Sequence, residues 1–156
     1  MIQQLTQKEL KNQNKDLLVN VIYNNFIDLA DDPKLNHTKT EIKKTLSSND
    51  VVLFLIIDSG KIIAYLLAEL MVLKDTRKVT FISYIYVIPS MRQKKLGCKL
   101  MSLIINYAIT QRCDGVMLIY NTSDRKLERF YDKYGFMLDF HLRRYEKHDV
   151  YYKILP

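Results

Sequence analysis

The stretch YVIPSMRQKKLGCKL, residues 86–100, concentrates the residue types best suited to chemistry. An apolar run stops at Pro89, a short basic loop follows, and helical spacing begins near Lys95. The first N–H groups of a helix have no partner within it and sit at the positive end of its dipole. Such an end is an anion site. Gly97 lets a ligand approach the backbone with no Cβ in the way. Arg92, Lys94, Lys95 and Lys99 add positive charge around the same loop, so a ligand carrying a diphosphate would suit it. A P-loop is excluded because no G-K-[ST] sequence exists, and a dinucleotide fingerprint because G-x-G-x-x-G is absent. The alternative is a solvated, lysine-rich helix start.

A second segment, TSDRKLERFYDKYGF (Thr122–Phe136), narrows the choice. Together the two segments resemble motifs A and B of the GNAT superfamily of N-acetyltransferases. That family's phosphate loop looks like R-x-x-G-x-G after a strand ending in Val-x-Pro. Here Val87-Ile88-Pro89 precedes Arg92-Gln93-Lys94-Lys95-Leu96-Gly97. The later family element reads approximately N-x-x-A-x-x-x-Y-x-x-x-G-F, against Asp124-x-x-Leu127-x-x-x-Tyr131-x-x-x-Gly135-Phe136 here. The resemblance is firm over about Val79–Phe136 and weak over the first fifty residues. Lys95 stands where the family has its first glycine, and a helix-start residue is not expected to need a positive φ. Asp124 stands where asparagine is common, with Asn121 nearby as a substitute.

The resemblance implies acetyl-CoA as co-substrate and no metal. Backbone of Ile85, Tyr86 and Val87 would pair with the pantetheine arm like an added strand, with an N–H near Val87 polarising the thioester. N–H groups of Gln93, Lys94, Lys95, Leu96, Gly97 and Cys98 would hold the diphosphate. Arg92, Lys99, Asp124 and Lys133 complete the implied cofactor-binding set. Tyr131 matches the tyrosine that protonates the departing thiolate; a phenol of pKa ~10 is a neutral donor at pH 7. With eleven tyrosines in the chain, packing is the competing role. The general base stays open: Glu69 borders the expected cleft, and Tyr84 or Tyr86 could act through water. Cys98 at a helix start reads as a packing residue, since the amine attacks directly in this family.

A small-molecule amine is the implied acceptor. Glucosamine-6-phosphate N-acetyltransferases have a loop like R-G-K-Q-L-G, which also lacks the first glycine, and Lys94-Lys95-Leu96-Gly97 resembles it. Phe130-Tyr131-x-x-x-Gly135-Phe136 fits their helix end, and Arg143, Arg144, Lys147 and His148 could attract a sugar phosphate. Against this, their central-strand acidic pair is replaced by Ser83 and Tyr84. RRYEKHDVYY instead resembles the closing strands of enzymes that acetylate protein α-amines, so protein or peptide amine is the alternative acceptor. An inactive binding module of the same fold is the alternative of another class. Nucleic acid is disfavoured, because no aromatic-basic RNA motif accompanies the charge. The family also suggests a homodimer, through the C-terminal strands.

The elements that must position these residues follow from periodicity. Leu17, Leu18, Val21, Ile22, Phe26 and Leu29 predict a helix over Asn14–Ala30, and a second over Thr38–Leu46. Val51–Ile57, Lys61–Leu73 and Val79–Ile88 read as strands, with Ser59-Gly60 as a turn. A helix is expected over Lys95–Arg112, a strand over Val116–Tyr120, and a helix from a Ser123 or Asp124 cap to Tyr134, stopped by Gly135. Phe136–Phe140 and His148–Leu155 close the chain as an antiparallel pair. The fold class is α/β (α+β), GNAT-like, with a single mixed, mostly antiparallel sheet flanked by helices.

The 156 residues fit one N-acetyltransferase domain, 1–156, and 48% hydrophobic residues suffice for a core. A net charge of +7 attracts polyanions or a phosphate-bearing cofactor. Two cysteines and scattered His37, His141 and His148 argue against a zinc site. No apolar stretch is long enough to span a bilayer, and MIQQLTQKEL has no signal core, so a cytoplasmic protein is expected.

Overall fold

A strand apolar at every position must be covered on both faces, and Val51–Ile56 is buried without interruption. The computed structural model describes residues 1–32, 35–121, 123–139 and 150–156. Its elements run β1 (Ile2–Thr6), α1 (Gln7–Leu10), α2 (Lys15–Asn25), α3 (Lys39–Leu46), β2 (Val51–Asp58), β3 (Lys61–Val72), β4 (Lys78–Val87), α4 (Leu96–Thr110), β5 (Gly115–Leu118), α5 (Arg125–Lys133), β6 (Met137–Leu138) and β7 (Tyr151–Ile154). Seven strands are hydrogen-bonded in the order β1-β2-β3-β4-β5-β7-β6. β4 and β5 are parallel, whereas β1/β2, β2/β3, β5/β7 and β6/β7 are antiparallel. This is the mixed, mostly antiparallel sheet that the sequence predicts. No helix among the described residues is long and apolar enough to cross a membrane.

The chain packs as two compact units, Met1–Glu69 with Tyr84–Leu100, and Leu70–Ser83 with Met101–Pro156. In the first, β2 pairs with β3 from Val51↔Glu69 to Asp58↔Lys61, with a bulge between Ile56 and Ile57. Leu10, Val19, Ile22, Ile42, Leu46, Leu53 and Leu67 form its core. Each such side chain contributes roughly 1.5–3 kcal/mol by leaving water. Asn14 caps α2 by accepting from the Leu17 N–H, and Thr38 caps α3 by accepting from the Glu41 N–H.

Two features differ from expectation. The helix predicted to Ala30 ends at Asn25, where Phe26 turns to φ −122°, ψ 32°. The chain continues as a 3-10 turn over Ile27–Asp31. A 3-10 turn aligns residues three apart, so apolar spacing persists after the α-helix has ended. The N-terminal strand β1 had no counterpart in the sequence reading; it pairs with β2 from Ile2↔Ile56 to Thr6↔Val52.

In the second unit, β5 pairs with β4 over Val79–Ile82 and with β7 over Tyr151–Ile154. β4 itself runs on to Val87. Asp114 ties the start of β4: its N–H donates to the Lys78 carbonyl at 2.7 Å, and its Oδ2 accepts from the Lys78 N–H at 2.9 Å. Arg77 donates to Asp75 at 2.9 Å and to the buried Asp139 at 2.7 Å, with its guanidinium 4.5 Å from the Tyr152 ring centroid. Gly115 faces that ring so closely that a Cβ would overlap it. Gly135 ends α5 at φ 83°, the left-handed conformation that glycine adopts without strain. The expected closing pair is present as β6 and β7; Phe140, His148 and Asp149, which the two predicted strands also included, lie outside the described residues.

Candidate active site

The last residues of β4 lead into the basic loop. Tyr84 and Tyr86 pack on the core of the first unit, and alternation along the strand puts Ile85 and Val87 on the opposite face. Pro89–Met91 makes one 3-10 turn, closed by the Met91 N–H donating to the Ile88 carbonyl at 2.9 Å. Arg92 folds back onto the strand end: Nε donates to the Val87 carbonyl at 2.9 Å, and the guanidinium lies 5.5 Å from the Tyr86 ring centroid. Arg92, Gln93, Lys94, Lys95 and Lys99 are exposed, while Leu96, Gly97 and Cys98 are half-buried at the start of α4.

Lys95 corrects the sequence reading. It was expected to need no positive φ, yet it sits at φ 63°, and Gln93 sits at φ 64°. A side chain in this region crowds its own backbone, which is the physical reason for a glycine at this point of the loop. Lys94 between them is not left-handed. Alternation of this kind turns successive N–H groups toward one side, as in anion-binding nests.

His37 was read from sequence only as an unpaired histidine. It is 4% exposed and central to an aromatic cluster in the first unit. Its Nδ1 is 2.7 Å from the Tyr84 Oη, and its Nε2 is 3.0 Å from the Tyr23 carbonyl oxygen. Its ring stacks on Tyr23 at 5.0 Å, with Phe26 edge-on. Phe26 in turn lies 5.1 Å from Tyr84 and 5.6 Å from Tyr86. Burial, helped by the Glu41 carboxylate, pushes the Tyr84 phenol up to about 12. Glu69, half-buried on β3, lines a groove of about 530 Å³ with Glu41, Lys44, Thr45, Ser47, Ser48 and Asn49.

The second unit holds the remaining predicted residues. Asp124 caps α5, its Oδ1 accepting from the Lys126 and Leu127 N–H groups at 3.0 and 3.2 Å. Asn121 Oδ1 accepts from the Ser123 N–H at 3.0 Å, so both side chains shape this turn. Tyr131 is 4% exposed, packed between Tyr120 at 4.8 Å, Phe130 at 5.2 Å and Phe136 at 5.7 Å. Burial raises its phenol well above the usual value, with Tyr120 adding to the effect, which keeps the hydroxyl protonated. Lys133 is exposed in the last turn of α5, 5.5 Å from the Tyr134 ring centroid. Arg143, Arg144, Lys147, His148 and His141 lie outside the described residues.

Cys113 is buried, and its Sγ is 3.3 Å from Thr80 Oγ1. Among the described residues no group of His, Cys, Asp and Glu could hold a metal ion.

Comparison with known structures finds this architecture repeatedly. NAA60 of Arabidopsis thaliana, solved with acetyl-CoA, has a TM-score of 0.67 at 13% identity, over 99% of this chain and 98% of that one. A predicted acetyltransferase of Clostridium acetobutylicum, also with acetyl-CoA, has a TM-score of 0.66 at 19% identity, over 93% and 97%. The aminoglycoside acetyltransferase meta-AAC0020, from an uncultured soil metagenomic sample, has a TM-score of 0.64 at 15% identity, over 85% of each chain. At these identities the likeness shows the fold. No curated protein sequence matches the chain. The sequence profile of the acetyltransferase (GNAT) family matches residues 19–136. That match covers both segments singled out above and well over half the residues, so the chain belongs to the acetyltransferase (GNAT) family.

Proposed function

We propose that the chain acts as one N-acetyltransferase domain that moves an acetyl group from acetyl-CoA to a primary amine by direct attack. The observation that carries this is the loop after β4. There Gln93 and Lys95 are left-handed, and Arg92, Lys94, Lys95 and Lys99 are exposed beside the first turn of α4. An anionic diphosphate suits that combination of turned N–H groups and cations. The extended backbone at the end of β4 suits pairing with a pantetheine arm.

Bound acetyl-CoA supplies an activated thioester. The chain's own groups supply the rest. N–H groups over Gln93–Cys98 hold phosphate oxygens, with Arg92, Lys94, Lys95 and Lys99 neutralising their charge. Backbone of Ile85–Val87 aligns the arm, and a strand N–H near Val87 polarises the carbonyl. Tyr131 donates its phenolic proton to the departing sulfur. Lys133 adds charge near the end of α5. Asp124 contributes by capping α5, the helix that carries Tyr131.

The acceptor is a primary amine. An amino-sugar phosphate draws no support from the described residues, because its phosphate was assigned to Arg143, Arg144, Lys147 and His148. A peptide α-amine or a polycationic small molecule is equally served by a groove bearing Glu41 and Glu69. The test is a screen of CoA release from acetyl-CoA against peptides, amino sugars, their phosphates, polyamines and aminoglycosides. Saturable turnover with one amine class is expected, together with a thermal shift on adding acetyl-CoA alone. A thermal shift with RNA or DNA and none with acetyl-CoA would overturn the proposal.

A further inference from the structure

We infer that His37 and Tyr84 form a proton-accepting pair for the acceptor amine, with Tyr84 meeting the amine and His37 positioned behind it. The inference rests on the acetyltransferase reading and deepens it. A carbonyl oxygen only accepts, so the 3.0 Å contact with the Tyr23 carbonyl places the imidazole proton on Nε2. Nδ1 of the neutral ring then carries a lone pair. The Tyr84 hydroxyl, 2.7 Å away, donates to it. This orientation leaves the lone pairs of Tyr84 Oη free to receive a proton. Both His37 ring nitrogens are engaged, whereas Tyr84 Oη keeps its lone pairs on a half-buried side chain, so the phenol is the member of the pair placed to meet a substrate.

The balance closes. The amine nitrogen bonds to the acetyl carbon as the carbon–sulfur bond breaks, its electron pair leaving on sulfur. One proton of the nitrogen passes to Tyr84 Oη while the Tyr84 proton crosses to His37 Nδ1. The imidazolium then donates to Tyr84 and to the Tyr23 carbonyl, and returns its proton to solvent by the reverse path. The thiolate separately takes one proton.

The groups around the imidazole are named by the packing. From α2 comes Tyr23, stacked on it, and from the residue that ends this helix Phe26, edge-on. From β4 comes Tyr84. From α3 come Lys39, whose Nζ is 5.3 Å from the Tyr23 ring centroid, and Glu41, whose charge acts on Tyr84.

The experiment has two arms. In the free protein, nitrogen-15 NMR of the histidine rings should show His37 with a protonated Nε2 and a bare Nδ1; a protonated Nδ1 in the neutral ring would overturn the inference. With the best amine from the screen, His37→Gln and Tyr84→Phe should each lower kcat about a hundredfold. His37→Gln should also leave the KM for the amine and the acetyl-CoA affinity within twofold of the parent. His37→Asn serves if His37→Gln does not fold. A kcat loss below threefold in a folded variant overturns the pair alone. An unmodified protein that releases no CoA with any amine overturns the acetyltransferase reading and the pair with it.

Discussion

Arg92 holds the carbonyl of Val87 through Nε at 2.9 Å while its guanidinium lies against the Tyr86 ring. The basic loop after β4 is thereby fastened to the strand that precedes it. Arg92→Lys keeps the charge and loses both contacts, because an ammonium has neither the Nε donor nor the planar face. Acetyl-CoA affinity, measured by calorimetry, should weaken about three- to tenfold, the upper value corresponding to ~1.4 kcal/mol. An unchanged affinity would show that charge alone matters at this position.

Tyr131 carries a pH prediction. Burial raises its folded pKa above the unfolded value of ~10. The folded state therefore holds this proton more tightly than the unfolded chain. Stability from this source is fully present below about pH 10 and is lost as pH rises through the folded value. Tyr84 and Tyr120, each pushed up to about 12 chiefly by burial, act with the same sign. Urea unfolding between pH 9 and 11 should show falling stability, with a shallower fall in Tyr131→Phe. The same variant should lower kcat by about 10²–10⁴ and spare acetyl-CoA affinity. Full turnover in Tyr131→Phe would remove its acid role.

Lys95→Gly separates backbone from charge. Relief of a left-handed lysine is worth about 1 kcal/mol and should raise Tm by about 3 °C. Loss of the ammonium should flatten the salt dependence of acetyl-CoA binding. A lowered Tm would mean that the left-handed conformation carries no strain in this loop.

Arg77 supports the second unit rather than the chemistry. Its Nη1 is 2.7 Å from Asp139, whose side chain is 4% exposed. Arg77→Met removes that cation from a buried carboxylate and should destabilise the fold by about 3 kcal/mol in urea unfolding. A loss below about 1 kcal/mol would show the carboxylate to be adequately held by other groups.

How much of this was legible in the sequence depends on where each partner lies. Val51–Ile57 declared a buried strand because all its residues are apolar, and burial requires nothing else. A cap at Ser123 or Asp124, of which Asp124 fills the role, and the Gly135 stop were legible because capping is local. β1 was not, because in Ile2–Thr6 only Leu5 is buried and its partner β2 lies about fifty residues away. His37 was missed for the same reason: nothing in its neighbourhood announces a bond to Tyr84, 47 positions later. The left-handed Lys95 was hidden differently, since a lysine in a basic loop carries no sign of its φ.

Tyr152 pairs with Met117 across β5 and β7, and its ring reaches diagonally over Gly115 with no room for a methyl group there. Neither position can vary alone. Gly115→Ala should be tolerated only beside a smaller residue at 152, and that smaller residue would also remove the ring under Arg77. Relatives that share this sheet should therefore exchange the two positions together, so that a bulky residue at one predicts a small residue at the other.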